Sequence, residues 1–584
     1  MPTLDWIGKD KVVNHHLDVP YRVLERVYSY DQDGQHDADN GSENMIIHGD
    51  NLEALKSLLP QYEGRVKCIY IDPPYNTGNE GWVYNDNVND PRMVAWLGKV
   101  VGSEGEDLSR HDKWLCMMYP RLRLLQRLLA EDGAIFISID DNELYSLKAI
   151  CDEIFGSNCF VANTSWQRTY SKRNDSKGIP AEIEHILVYS KKPYWQPNRL
   201  PRTADMDGSY NSIDGDPRSW SSVTINAPNA STHQGMVYAI QHPITGALMY
   251  PPRGRCWGFG QPQMLEQMKE WAEYEERPLD DYEERCLICG HAQGVPVTIP
   301  ALMMKDPRTG MVSAMQRYNQ GANKERPWPL FYFTGNGKGG MRRKQYLDES
   351  AGRVATNLWM HAEVGHTGEA SNELASIFDG HSPFDTPKPT RLIERILQIA
   401  TGPDSIILDS FAGSGTTAHA VLKANAADGG HRHFICVELM DYADTITAER
   451  VKRVINGYGE GKGAIPGIPG DFSFYELGDP LFHGEYLNED VGIDKIREYV
   501  FFTETRQRIQ PRDTLYYLGS HVGNAYYFYY ERDRATTLDR SFLETIDIPA
   551  AHYVIYADLC TLTEDELSAL NITFKKIPRD ITRL

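Results

Sequence analysis

Buried strand patterns that run directly into polar loops constrain the fold of this chain more than any other feature of its sequence. Residues 65–71 are typical of such a strand and are followed by Asp72-Pro73-Pro74-Tyr75. Residues 405–408 are typical of another and precede a glycine loop that begins at Asp409. Strands that alternate with helices favour a parallel sheet covered on both faces, and such sheets bind ligands at the carboxyl ends of their strands. The sequence therefore predicts an α/β fold with both loops at the binding edge.

The rest of the chain continues this alternation. Strands are predicted at residues 45–48, 134–139 and 433–437, and helices at residues 115–129, 143–155, 390–400, from 417 onward, and 442–455. Asp50 is placed as the N-cap of a further helix with a leucine stripe. Strands at 553–557 and 572–576, around a helix at 564–570, predict a small α/β C-terminal domain.

Length and charge limit the class of protein. A chain of 584 residues exceeds one core and predicts about three or four domains. The net charge of -21 argues against DNA binding by the whole surface, so any DNA-binding face must be a local basic patch. The chain has no apolar run of membrane-spanning length, its first residues lack a signal pattern, and its nine cysteines are scattered. These features predict a cytoplasmic protein.

The first loop, Asp72-Pro73-Pro74-Tyr75, has a specific chemical interpretation. An aromatic amine is a poor nucleophile, because its lone pair is delocalised into the ring. A carboxylate at Asp72, helped by a backbone carbonyl that the prolines hold in place, can accept the amine hydrogens and direct the lone pair to a methyl donor. Tyr75 supplies a face on which a flipped base stacks. The alternative is an ordinary turn, because Asp and Pro are both turn formers.

The second loop runs from Asp409 through Phe411, Gly413, Ser414 and Gly415. Its glycines allow a ligand to approach the backbone closely, although nucleotide and flavin folds use similar turns. Glu438, at the end of the next strand, is placed to accept hydrogen bonds from ribose hydroxyls. The alternative for Glu438 is a solvated acid at a strand end.

Together the two loops resemble those of the beta-class DNA amino-methyltransferases, in which a DPPY motif precedes an FxGxG motif. The stretches IYIDPPYNTGN, WLCMMYPRLRLL, IFISIDDNE, FDTPKPTRLIERIL, DSFAGSGTTAHAVLKAN and NITFKKIPRDI are similar to the modification subunits of Type III restriction-modification systems. The resemblance implies a Rossmann-like methyltransferase sheet that is interrupted by a target-recognition insert. The implied domains are an arm at 1–44, catalytic halves at 45–163 and 375–475, the insert at 164–374, and a C-terminal domain at 476–584.

The same resemblance implies the reaction and its residues. Asp72, Pro73, Pro74 and Tyr75 would form the target-amine site, and Asp72 would border S-adenosylmethionine. The cofactor would also contact Thr386, Lys388, Pro389, Asp409, Phe411, Gly413, Ser414, Gly415 and Glu438. An Asp at position 72 favours the 6-amino group of adenine over the 4-amino group of cytosine in this family. The implied partners are double-stranded DNA, a second copy of the chain and a helicase-nuclease restriction subunit.

The predicted insert carries basic residues among aromatic and glycine residues, a mixture that suits phosphate contacts and base reading. The DNA-binding candidates are Arg168, Lys172, Arg173, Arg342 and Arg343. Each cluster can alternatively be a solvated charged loop. Cys286 and Cys289 resemble half of a zinc site, but Cys256 is the only additional cysteine near them in sequence. Free thiols are the alternative, and no metal is predicted.

Two other functions compete with DNA methylation. Related amino-methyltransferases that act on RNA or on protein amides share the proline motif, but the large insert argues against that activity. A catalytically idle DNA-recognition scaffold for a nuclease would need neither Asp72 nor the glycine loop.

Overall fold

The computed structural model describes residues 3–77, 110–170, 178–484, 486–507, 509, 516–578 and 580–582. The chain divides into two compact units. The first contains Met1–Asn198 and Val354–Leu584, and the second contains Arg199–Arg353. No helix within the described ranges is long and apolar enough to cross a membrane.

The first unit is built on an 11-stranded sheet. In chain order its strands are β1 (Arg22–Asp31), β2 (Gly34–His36), β3 (Met45–His48), β4 (Val66–Ile71), β5 (Leu129–Ile139), β6 (Phe160–Gln167), β7 (Ile183–Ser190), β8 (Leu358–Trp359), β9 (Ile406–Asp409), β10 (His433–Glu438) and β11 (Phe472–Pro480). Their order across the sheet is β8-β6-β7-β5-β4-β9-β10-β3-β11-β1-β2. The six neighbours from β5 to β11 are mutually parallel, whereas β7 and β1 run antiparallel to them. The predicted α/β class is confirmed.

Helices connect the parallel strands of this unit. Its helices of eight or more residues are Asn51–Tyr62, Arg110–Leu128, Leu144–Phe155, Thr367–Ile377, Thr390–Ala400, Thr416–Asp428, Glu449–Asn456 and Ile493–Thr505. Shorter helices lie at Lys9–Val12, His15–Asp18, His361–Val364, Arg540–Leu543 and Glu564–Ala569, and a π-helix spans Ala443–Ala448. The predicted N-cap is confirmed, because Asp50 Oδ1 accepts the Leu52 N–H at 2.7 Å.

The strands between these helices are apolar along their whole length, as a sheet covered on both faces requires. All residues of Val66–Ile71 except Lys67 are buried, and so are five of the six residues of His433–Glu438. The helix Thr390–Ala400 buries Leu392, Ile393, Ile396 and Leu397, which recur at helical spacing. The central parallel strands are therefore the most deeply buried part of this sheet that these elements show.

The second unit has its own core of aromatic and methionine side chains. Its strands are Trp220–Thr224, Asn226–Pro228, Ile240–Gln241, Leu248–Met249, Arg255–Trp257, Tyr274–Arg277, Ala301–Met304, Phe331–Phe333 and Met341–Tyr346, and its helices are Ala204–Asp207, Gln261–Lys269, Tyr282–Cys289 and Pro307–Ala322. Leu200 and Arg353 exchange backbone hydrogen bonds of 2.9 and 2.8 Å at its two ends. The two ends of the unit therefore lie next to each other.

The predicted insert at 164–374 is wider than this second unit. Residues on both flanks of the unit belong to the main sheet, because β6 and β7 pair with each other and β7 pairs with β5. β8 adds to the outer side of β6. Periodicity alone did not assign these strands, which are antiparallel or short.

The ends of the chain also differ from their predicted roles. The stretch treated as an N-terminal arm and linker contributes β1 and β2, and β11 extends past residue 476 in the same sheet. The C-terminal strands Tyr517–His521, Asn524–Phe528, His552–Ala557 and Ile572–Lys576 form a separate four-stranded sheet. Its Tyr526, Phe528 and Tyr556 share one buried core with the helix Ile493–Thr505 and the main sheet. The C-terminal region thus packs on the main sheet within the first unit.

Candidate active site

Three carboxylates lie at the carboxyl ends of three adjacent parallel strands. Asp72 follows β4, Asp409 ends β9, and Glu438 ends β10. The register pairs Ile69 of β4 with Leu408, and Asp409 with Cys436 of β10. Because adjacent parallel strands end at one edge of a sheet, two loops that are more than 300 residues apart in sequence meet there.

Asp72 is held by a lysine and a tyrosine. Lys388 Nζ lies 2.8 Å from Asp72 Oδ1 and 2.6 Å from Oδ2, so it donates to the carboxylate. The hydroxyl of Tyr75 donates to Asp72 Oδ1 at 2.9 Å. Lys388 Nζ also lies 5.0 Å from the centre of the Tyr75 ring. The sequence predicts Lys388 beside the cofactor, and in the structure its ammonium pairs with Asp72.

A second carboxylate, Glu184 on β7, belongs to the same cluster. Its Oε2 lies 3.0 Å from the Tyr75 hydroxyl and 3.7 Å from Lys388 Nζ. Its Oε1 accepts a hydrogen bond from Arg168 at 2.7 Å. Sequence reasoning missed Glu184, because no motif marks a strand residue that faces the site. It also assigned Arg168 to DNA, whereas Arg168 pairs with Glu184 and keeps a side chain that is 34% exposed.

Burial and neighbouring charges shift the pKa values of this cluster in opposite directions. Burial raises the pKa of Asp72 above its ordinary value, although the ammonium of Lys388 acts in the opposite direction. Burial lowers the pKa of Lys388, but the charges of Asp72 and Glu184 outweigh it, and the pKa is raised. Lys388 is therefore charged at neutral pH, and its charge favours an ionised Asp72.

The loop around Pro73 and Pro74 is anchored from the helix Arg110–Leu128. Trp114 is fully buried, and its Nε1 donates to the Pro74 carbonyl at 2.6 Å. Asn76 follows with a φ of 58°, and its Nδ2 donates to the buried carboxylate of Glu143 at 2.5 Å. The loop is consequently fixed on both sides of Tyr75.

The glycine loop wraps around the buried carboxylate of Asp409. This carboxylate accepts hydrogen bonds from the Phe411 N–H at 3.0 Å and from Thr417 Oγ1 at 2.5 Å. Burial raises the pKa of Asp409 to about 7. Gly413 and Gly415 have φ values of 51° and 76°, and a side chain on Gly415 would lie 2.9 Å from the Thr447 carbonyl oxygen. Glycine is required here by conformation and by space.

Glu438 is oriented by the same loop. Its Oε2 accepts the Gly413 N–H at 2.8 Å, and its Oε1 accepts the Met440 N–H at 3.0 Å. Burial raises the pKa of Glu438, while these two backbone donors act against that shift. Glu438 is buried, so the solvated-acid alternative does not fit this residue.

One buried arginine joins the glycine loop to the Lys388 segment. Arg450 donates to Ser414 Oγ at 3.1 Å, to Thr416 Oγ1 at 2.8 Å and to Thr390 Oγ1 at 3.1 Å. Thr416 Oγ1 in turn donates to the Lys388 carbonyl at 3.3 Å. Sequence reasoning missed Arg450, which lies on a regular amphipathic helix. Among the other predicted residues, Pro389 caps the helix Thr390–Ala400, and Thr386 is exposed with a φ of 50°.

Four DNA-binding candidates remain besides Arg168. Lys172 and Arg173 lie outside the described residues. Arg342 and Arg343 lie on the strand Met341–Tyr346 of the second unit, where Arg342 donates to Ser222 and Arg343 donates to Gln345. The next residue in the basic run, Lys344, is fully buried between Asp214 and Asp216 and is a structural residue.

The cysteine pair shows no metal geometry. Cys286, Cys289 and Cys256 are free thiols, and Cys256 and Cys289 are buried in one apolar cluster. Among the described residues, no group of three or more His, Cys, Asp or Glu side chains is arranged to hold a metal ion.

Comparisons with known proteins identify the family of the chain. The model of a family described as DNA methylase, N6_N4_Mtase, matches residues 66–449, more than half of the chain. The Type III restriction-modification enzyme StyLTI Mod subunit of Salmonella typhimurium is 31% identical over 77% of this chain and 62% of its own length. The EcoPI Mod subunit of Escherichia phage P1 is 30% identical over 75% of this chain and 63% of its own. The chain thus spans less than two thirds of these relatives.

A shorter relative and solved structures are also similar. Type II methyltransferase M.KpnI of Klebsiella pneumoniae is 30% identical over 68% of this chain and 81% of its own length. A DNA modification methylase of Thermus thermophilus, complexed with S-adenosyl-L-methionine, aligns with a TM-score of 0.29 and 14% identity over 74% of this chain and 99% of that one. From the family match and these sequence relatives, the chain belongs to the DNA methylase family.

Proposed function

We propose that this chain transfers a methyl group from S-adenosylmethionine to the 6-amino group of an adenine flipped out of duplex DNA. The observation that carries the proposal is the Asp72 carboxylate, which is mostly shielded from solvent. Lys388 pairs with it, and it lies next to the glycine loop at one edge of the sheet. A carboxylate in that position accepts the hydrogens of an amine and orients its lone pair. An idle scaffold would need no such group.

The glycine loop fits the proposed methyl donor. Glu438 offers buried acceptor oxygens beside the Gly413 N–H, as ribose hydroxyls require. Phe411, Gly413 and Glu438 would hold the nucleoside, and Lys388 would face the methionine end. When bound, S-adenosylmethionine supplies an electrophilic methyl group beside Asp72. The Lys388 ammonium favours the ionised form of Asp72, so the carboxylate acts as an acceptor.

Two assignments concern specificity, namely the target base and the part of the chain that recognises the DNA sequence. Adenine is favoured by the Asp at position 72, as the resemblance to the beta-class amino-methyltransferases implies. The second unit is the proposed recognition module, because its ends meet at Leu200 and Arg353 and it carries Arg342 and Arg343. Methylation of RNA or of a protein amide is the alternative, and a DNA-specific transfer assay separates the two.

By the same similarity we infer a cytoplasmic protein of a restriction-modification system that pairs with a second copy and with a restriction subunit. The mass of the purified chain in sedimentation tests the pairing, and a monomer at micromolar concentration contradicts it.

Asp72→Ala is expected to lower methyl transfer by at least about a hundredfold while leaving S-adenosylmethionine binding within about threefold of wild type, because the carboxylate acts mainly on the amine. Transfer of labelled methyl groups to unmethylated genomic DNA and titration calorimetry measure the two quantities. The control is Asp132→Ala, which removes an exposed carboxylate that pairs with Lys67. Asp72→Asn keeps the side-chain volume if the alanine variant misfolds, and near-wild-type transfer by a folded variant disproves the role.

Gly413→Ala is expected to weaken S-adenosylmethionine binding at least about tenfold. The φ of 51° costs a side chain about 1–2 kcal/mol, and the added Cβ would lie 3.1 Å from Phe384 Cζ. Gly429→Ala is the matched control, because its φ is 71° but no atom lies within 4 Å of the added Cβ. Both variants lose stability in thermal unfolding, and only Gly413→Ala loses affinity. Equal affinities in the two variants would place the cofactor elsewhere.

Exchange of residues 199–353 with the corresponding unit of a relative is expected to change the methylated sequence while preserving the transfer rate. The graft joins at the paired residues Leu200 and Arg353, so it leaves the main sheet intact. Modified-base sequencing identifies the motif. An unchanged motif would assign recognition to the first unit.

A further inference from the structure

The hydroxyl of Tyr75 lies between two carboxylates. Its oxygen is 2.9 Å from Asp72 Oδ1 and 3.0 Å from Glu184 Oε2. A phenol donates a single proton, and an ionised carboxylate only accepts. Two hydrogen bonds on this line therefore require one proton more than the tyrosine supplies. One further proton can therefore bind on the line between Asp72 and Glu184.

The line from Asp72 to Glu184 continues to a partly exposed arginine. The side chains of Asp72 and Glu184 are 16% and 6% exposed. Arg168, which donates to the other oxygen of Glu184, is 34% exposed. Lys388 contacts Asp72 and lies 3.7 Å from Glu184. Among the described residues, Tyr70 on β4 and Asp409 on β9 also interact with Asp72, and Asp140 after β5 interacts with Arg168.

We propose that Asp72, Tyr75 and Glu184 form a path that removes the proton released when the target amine is methylated. This inference rests on the proposed methyltransferase function. The amine gains a methyl group and is left with two hydrogens and a positive charge. One N–H bond then breaks as an O–H bond forms on Asp72. Tyr75 takes that proton on its oxygen and gives its original proton to Glu184, so one proton moves from the amine to Glu184 and nothing is oxidised or reduced.

The three residues have distinct parts in this path. Asp72 touches the amine and receives its proton, while Tyr75 and Glu184 act through Asp72. Glu184 can pass the proton to water beside the partly exposed Arg168. Without the path, the proton would stay on Asp72 next to the charged Lys388.

Two conservative variants test the path with opposite pH signatures. The charge of Glu184 raises the pKa of Asp72, so Glu184→Gln moves the acid limb of the transfer rate to lower pH. The hydrogen bond from Tyr75 lowers the pKa of Asp72, so Tyr75→Phe moves that limb to higher pH and keeps a ring for stacking. Both variants are expected to lower the plateau rate above the limb at least about tenfold.

The measurement is single-turnover transfer of labelled methyl groups from S-adenosylmethionine to genomic DNA of a host that lacks adenine methylation, from pH 5 to 9. Tyr119→Phe is the control, because its hydroxyl bonds Glu153 at 2.9 Å on the helix Arg110–Leu128. Its rate and pH profile should match wild type. Plateau rates within twofold of wild type for Tyr75→Phe and Glu184→Gln overturn the path. It is also overturned if the plateau rates fall but the acid limb of each pH profile stays at the wild-type pH. No transfer by the wild-type protein would instead reject the proposed function.

Discussion

The ion pair between Lys388 and Asp72 is the interaction on which the candidate site depends. A carboxylate buried at a sheet edge takes up a proton readily, because desolvation disfavours its charged form. A protonated Asp72 would present an O–H donor where the amine needs an acceptor. Lys388, at 2.6 Å, opposes that tendency and is itself kept charged by Asp72 and Glu184. Asp72 and Lys388 each favour the charged form of the other, and they can do so only because the fold brings their segments together.

The order of the parallel strands brings these segments together. β4, β9 and β10 are neighbours, so the loops that carry Asp72, the glycines and Glu438 emerge side by side. Arg450 then fixes the glycine loop to the segment that bears Lys388. The antiparallel strands β6 and β7 extend the sheet on the other side and bring Glu184 and Arg168 to Tyr75. The site is therefore assembled from both halves of a divided catalytic unit.

The sequence predicted the parts of this structure that depend on local patterns. Hydrophobic periodicity placed the strand before Asp72 and the helix Thr390–Ala400 to within one residue. The alternation of strands and helices placed both loops at the carboxyl edge of the sheet. Side chains that act across the fold were not predictable in this way. Glu184 lies on an antiparallel strand with no motif, and Lys344 belongs to a basic run in sequence but is buried between two aspartates. The bounds of the second unit were not predictable for the same reason, because strand pairing joins residues that are far apart in sequence.

Modified-base sequencing of a genome tests the central claim most directly. The full chain is expressed in a host without adenine methylation, alongside its Asp72→Asn variant. The account predicts 6-methyladenine at one recurring sequence in the first genome and its absence from the second. A genome without modified adenine, or one carrying 4-methylcytosine at a recurring sequence, would contradict the assignment of Asp72 as the acceptor for an adenine amine.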